Sequence, residues 1–144
     1  MIFIEIVKMN NDVNKKLLHK GVKPTSMRQL VYEVLDKQKK ALNLYEIEQQ
    51  FDNVDRSTIF RTLKTFQDNC VIHRIDDGTG AVKYALCDEN CTCHLGDLHI
   101  HFLCIKCGQT HCLKDMPIPK MDLPNGFLFK SANFVVKGTC PKCS

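Results

Sequence analysis

No stretch of this 144-residue chain approaches the about 18 apolar residues in a row that a membrane-spanning helix needs. The opening Met1 to Ile6 has no basic head and carries Glu5 inside its short apolar run, so it does not read as a secretory leader. Charge of one sign is also scarce: 20 basic against 16 acidic side chains leave a net +4, which permits a nucleic-acid partner without demanding one. A His-x-Glu arrangement is missing as well, and with it the general base that a zinc enzyme acting on nucleic acid would place beside its ion. Cysteine, by contrast, is abundant, with nine residues. Without a leader, and with an odd count, these thiols are expected to be metal ligands in a reducing cytoplasm rather than disulfides.

The first ten residues read as an extra edge strand or as an extension upstream of a start at Met9. From Asn11 the apolar positions fall at helical spacing, with Val13, Leu17 and Leu18 ending at Gly21. Pro24-Thr25-Ser26 opens a second helix with Met27, Leu30, Val31, Val34 and Leu35 on its inner face. Leu44, Ile47 and Phe51 mark a short third helix. Asp55 caps a fourth, whose inner face is Ile59, Leu63, Phe66 and Cys70.

The outer face of that fourth helix carries Arg56, Ser57, Thr58, Phe60, Arg61 and Lys64. Arginine pairs with guanine edges or phosphates, hydroxyls reach phosphates, and an aromatic ring meets a thymine methyl. Two strands then flank a Gly-rich turn: Val71 to Ile75, Asp76 to Gly80, and Ala81 to Leu86. Helices followed by such a hairpin give the order of a winged helix-turn-helix domain. In that architecture Arg28 and Lys83, the latter on the wing, are expected to contact phosphates.

After Leu86 the composition changes. Two Cys-x-x-Cys pairs, Cys104/Cys107 and Cys140/Cys143, each lie beside an expected strand and predict a structural zinc site of four thiolates. His73, Cys87, His99, His101 and Cys112 remain as a second group. His99 and His101 alternate onto one face of a strand, and mixed nitrogen and sulfur donors favour zinc over iron(II) or manganese. Cys91, Cys93 and His94 either form an additional site, complete the second one, or are loop residues.

These motifs resemble the ferric uptake regulator family of bacterial metal-sensing repressors. The resemblance runs from about Val13 to Cys143 and rests on Thr25-x-x-Arg28, the segment Ser57 to Leu63, Lys83-Tyr84-Ala85-Leu86, His99-x-His101-x-x-Cys104-x-x-Cys107-Gly108, and Cys140-x-x-Cys143. It implies an α+β homodimer that binds operator DNA when its sensor metal is loaded. The expected organisation is a winged-helix DNA-binding domain over residues 11–86, a hinge over 87–98, and a small zinc-stabilised α/β or mainly β dimerisation domain over 99–144. His73 and Cys87 resemble the zinc-sensing subgroup and give a sensor set of His73, Cys87, His99 and His101, with iron or peroxide sensing as the rival and a pure zinc-stabilised interaction module as another. Four departures from the family pattern stand out, and one of them is Cys112, at a position where a family carboxylate is common. The family histidine before the third helix is absent from Lys40 to Asn43, Phe60 replaces a tyrosine, and the proline-rich Met116 to Asn125 replaces a long helix.

Overall fold

A computed structural model describes residues 2–91, 99–116, 118–119, 121–130 and 132–144, with side chains from residue 10 onward. Residues 2–10 are not an edge strand. They belong to helix α1, Ile2–His19, which buries Val13 and Leu17 but leaves Leu18 60% exposed. The helix stops at Gly21, whose φ of 76° is open to glycine at no steric cost. Gly21 N donates to the Leu18 carbonyl and Val22 N to that of Leu17, while Val22 and Leu17 are both buried. This is the paired closure of a Schellman motif with its apolar contact.

Helix α2, Ser26–Gln38, starts where Thr25 Oγ1 accepts from Arg28 N. It buries Val31, Tyr32 and Leu35, whereas Leu30, expected inside, is 45% exposed. Strand β1, Leu42–Asn43, leads directly into α3, Leu44–Glu48, through a reciprocal capping box between Asn43 and Glu46. Helix α4, Arg56–Asp68, packs Ile59, Leu63 and Phe66 inward. Cys70 lies beyond that helix rather than on its inner face. With φ 57° it takes the left-handed position that glycine holds after α1, and Val71 N closes onto the Phe66 carbonyl.

Strands β2, Ile72–Asp76, and β3, Val82–Leu86, form an antiparallel hairpin, and β1 adds to the outer side of β3. The four helices and this sheet enclose the main core, in which Leu17, Val31, Ile47, Ile59, Phe66 and Ile72 are fully buried. This is the winged-helix arrangement. The second sheet is built from β4, Ile100–Cys104, β5, Thr110–Leu113, and β6, Val135–Gly138, in the order β5-β4-β6. β5 returns antiparallel to β4, and β6 runs parallel to it. Among the described residues between β5 and β6 there is no helix, so this part of the α+β fold is mainly β. No helix is long and apolar enough to cross a membrane among the described residues.

The hairpin and the second sheet meet. Ala41, Ile75 and Ala85 are buried together with Cys112 against them, and Ala41 N donates to the Thr110 carbonyl at 3.2 Å.

Candidate functional site

Cys104 ends β4 and Cys107 lies in the turn after it, where Gly108 N donates back to the Cys104 carbonyl. Because β6 runs parallel to β4, its exit delivers Cys140 and Cys143 to the same end of the sheet. All four sulfurs lie within 4.8 Å of one another. The Cys107–Cys140 separation of 3.9 Å matches the about 3.8 Å expected between two thiolates on a tetrahedral zinc with bonds of about 2.3 Å. It is far from the about 2.05 Å of a disulfide. Backbone N–H groups of Cys107 and Cys140 hold the Cys104 thiol down to about 6. The neighbouring thiol of Cys140, burial and then Cys104 push Cys143 up to about 12. Four crowded thiols cannot all ionise unaided, whereas a divalent cation among them reverses that balance. The residues therefore fit a closed metal site.

A second group forms where the wing hairpin faces β4 and β5. Register places His101 opposite Cys112, and one nitrogen or sulfur from each of His73, His99, His101 and Cys112 lies within 4.8 Å of the others. His73 Nε2 is 3.1 Å from His101 Nε2 and 4.0 Å from Cys112 Sγ. Two imidazole nitrogens sharing a tetrahedral zinc lie about 3.3 Å apart. Burial, then the neighbouring His99 and His101, pushes the His73 imidazole down to about 3; burial and His99 push His101 down to about 4. Both rings are neutral at ordinary pH, the form that offers a lone pair to a metal. His101 Nδ1 is buried with no hydrogen-bond partner among the described residues. Three imidazoles and a thiol converging on one point make a donor set that fits a cation.

Cys87, expected among the ligands, lies on the far side of the His73 ring, 3.4 Å from Nδ1. The structure brings Cys112 to the cluster in its place. Cys91 joins neither group among the described residues; its carbonyl accepts from Lys20 Nζ at 2.6 Å. Cys93 and His94 lie outside the described residues.

On α4, Arg56, Ser57, Phe60, Arg61 and Lys64 are exposed and Thr58 is half-buried, so the expected reading face is open. Arg56 Nε lies 3.8 Å from Glu48 on α3, and Arg61 donates weakly to Thr58 at 3.4 Å, contacts loose enough to leave both guanidinium groups available. Arg28 donates to the Lys23 carbonyl at 2.8 Å. Lys83 contradicts its expected role. It is 5% exposed, and its ammonium lies 2.8 Å from Asp77, turned away from the wing surface and towards the second sheet. A lysine on a hairpin of a basic domain reads as a surface cation; only Asp77 and the later Thr110 reveal otherwise.

Residues 19–125 match the model of the ferric uptake regulator family. The ferric uptake regulation protein of Staphylococcus epidermidis is 32% identical over 139 residues, covering 92% of this chain and 94% of that protein. Among solved structures, a zinc uptake regulator complexed with zinc and DNA aligns with a TM-score of 0.67 at 16% identity, over 94% of this chain and 92% of that one. The ferric uptake regulator from Francisella tularensis with iron aligns at 0.55 and 20% identity, over 85% and 95%. With a family match over most of its length and a relative this similar end to end, the chain belongs to the ferric uptake regulator family, whose members are metal-responsive transcription regulators and not enzymes.

Proposed function

We propose that the chain is a zinc-responsive repressor that binds duplex operator DNA as a homodimer. The observation that carries this reading is the donor set at the junction: three imidazoles and one thiol, with no carboxylate among the described residues of the group. Such a set favours zinc over iron(II) or manganese, which take more oxygen. His73, His99, His101 and Cys112 would hold the sensor ion, and Cys104, Cys107, Cys140 and Cys143 a structural one. Bound zinc would supply a cross-link whose donors come from both the wing hairpin and the second sheet.

His73 arrives from the hairpin, while His101 and Cys112 arrive from β4 and β5. Cys87 orients His73 by occupying its second nitrogen, the role that outer hydrogen bonds play for ligating histidines. Holding the hairpin against the second sheet fixes the direction of α4, which packs on β2, so Arg56, Ser57, Thr58, Phe60, Arg61 and Lys64 present one defined surface to the DNA. A ligand shifts such an equilibrium only through its differential affinity for the two arrangements. Of the expected hinge over 87–98, residues 92–98 lie outside the described residues. The second copy covers the apolar side chains Met121, Leu123, Phe127, Leu128 and Phe129, each at least 39% exposed in the single chain.

An iron-responsive reading draws support from the name of the Staphylococcus relative. Duplexes selected from a random pool with metal-loaded protein provide the test. Their affinity is measured across buffered free zinc and, anaerobically, iron(II) and manganese(II). Zinc alone at low free concentration is expected to tighten binding, and His73→Ala and Cys112→Ala to abolish the response. Equal tightening by iron(II) at its own low free concentration overturns the metal assignment, and metal-independent binding overturns the sensor itself.

A further inference from the structure

The wing hairpin touches the second sheet along one continuous face. His73 and Ile75 on β2 lie opposite Ala85 and Lys83 on β3, and directly opposed residues of an antiparallel pair project to the same side. On the sheet they meet, His101 and Leu103 lie opposite Cys112 and Thr110. Three contacts follow one another along this face. The imidazole–thiol cluster stands at one end, the buried trio Ala41, Ile75 and Ala85 in the middle, and Lys83 with Asp77 and Thr110 at the other.

That last group is closed on itself. Lys83 Nζ lies 2.8 Å from Asp77 Oδ2 and donates to Thr110 Oγ1 at 2.8 Å, while the Thr110 hydroxyl donates to the same carboxylate oxygen at 2.7 Å. The third ammonium hydrogen goes to the Gly108 carbonyl at 2.7 Å. An ammonium has three donors, and here each has an acceptor. The other carboxylate oxygen accepts from Thr79 N at 3.1 Å. The Lys83 and Asp77 side chains are 6% and 0% exposed, and Thr110 is fully buried. Burial alone would raise the Asp77 pKa, but the ion pair with Lys83 and the bonds from Thr79 and Thr110 outweigh it and hold the carboxyl well below its usual range. A buried pair of this kind adds little net stability over packed apolar side chains; what it imposes is geometry.

We infer that Lys83, Asp77 and Thr110 are positioning residues for the cluster of His73, His99, His101 and Cys112, pinning the hairpin along β5 so that donors from the two sheets meet. The inference rests on the reading of that cluster as the sensor site. Thr110 and Cys112 are two residues apart on β5, and Lys83 faces Ile75, two residues from His73. Pin and cluster thus share β5, where Thr110 and Cys112 are separated by one pleat repeat of about 7 Å, and Lys83 stands on β3 across from the β2 residue one such repeat from His73. Zinc accepts its donors within about 0.2 Å of ideal distance, so a hairpin free to slide loses affinity long before it loses its fold. Gly108 belongs to the turn of the first thiolate pair, so the same ammonium also ties the hairpin to the four-cysteine end of the sheet.

Cobalt(II) titration of protein whose four-cysteine site already holds zinc tests this, read by the visible absorbance of the second site. Lys83→Met keeps side-chain length and removes the charge; Thr110→Val keeps shape and removes the hydroxyl, and guards against a misfolded Lys83 variant. Each is expected to lower second-site cobalt affinity at least tenfold while circular dichroism and the one retained zinc stay unchanged; Thr110→Ser is expected to restore affinity. His73→Ala serves as the control and is expected to abolish the second site. Affinity within twofold of the parent in both Lys83→Met and Thr110→Val, with the site lost in His73→Ala, overturns the pin alone. Unchanged cobalt binding in His73→Ala overturns the reading of the cluster, and the pin with it.

Discussion

Loading the imidazole–thiol cluster should release one proton. Burial pushes the Cys112 thiol up to about 11, whereas His73 and His101 sit at about 3 and 4 and have no proton to lose. At pH 8 even an unshifted imidazole is neutral, so Cys112 is the donor that must ionise. A thiol three units below its pKa imposes a competition of about 10³ on the metal, or about 4 kcal/mol. The metal affinity should therefore rise tenfold per pH unit between about 7.5 and 9.5. Calorimetric titration of zinc into protein with a filled four-cysteine site, in buffers of different ionisation enthalpy, gives the proton count directly. Cys112→Asp supplies a carboxylate that is already ionised, and its release should fall to near zero. A count near zero in the parent removes Cys112 from the ligand set. A count near two shows that Cys87 ionises and ligates as well, and refutes its assignment as the group behind His73.

Two further outcomes follow from the same geometry. In the metal-free chain the depressed His73 and His101 bind fewer protons than their unfolded counterparts, so their contribution to stability is present above about pH 6.5 and is lost as pH falls towards 4 and 3. Between pH 7.5 and 5 the loss is on the order of 2 kcal/mol for each ring, read as a lower urea midpoint; a flat midpoint refutes it. For DNA, Arg61→Ala in zinc-saturated protein should reduce the slope of log affinity against log salt by about 0.9 for each phosphate that the side chain neutralises, whereas Lys83→Met should leave the slope unchanged. A reduced slope in Lys83→Met would return that lysine to the DNA surface.

Local signals carry the parts of the fold that are locally determined. Thr25 and Asp55 mark the starts of α2 and α4, the inner face of α4 follows its 3.6-residue period, and the two cysteine pairs fall where their spacing puts them. The alternation of Ile2, Ile4 and Ile6 has the look of a strand, yet the segment continues α1, since short apolar runs carry no reliable period. Leu30, expected inside, is exposed while Tyr32 is buried, because the packing of α2 against its neighbours, not hydrophobicity alone, sets the buried stripe. The exchange of Cys87 for Cys112 turns on the pairing of His101 with Cys112, a register that no single segment encodes. Lys83 escapes a local reading for the same reason: its partner Thr110 is 27 residues away.

The parallel pairing of β4 with β6 also dictates when this chain can finish folding. Cys104 finds Cys140 only after 36 further residues, and a cross-link over such a loop constrains the unfolded chain by about 4 kcal/mol. The helices and the wing sheet enclose their own core from residues made earlier, so they can collapse while synthesis continues. The second sheet cannot. Until Cys143 leaves the ribosome, the first thiolate pair is half a site, and zinc bound there would have to wait, exposed to competing thiols, for the second Cys-x-x-Cys turn to arrive.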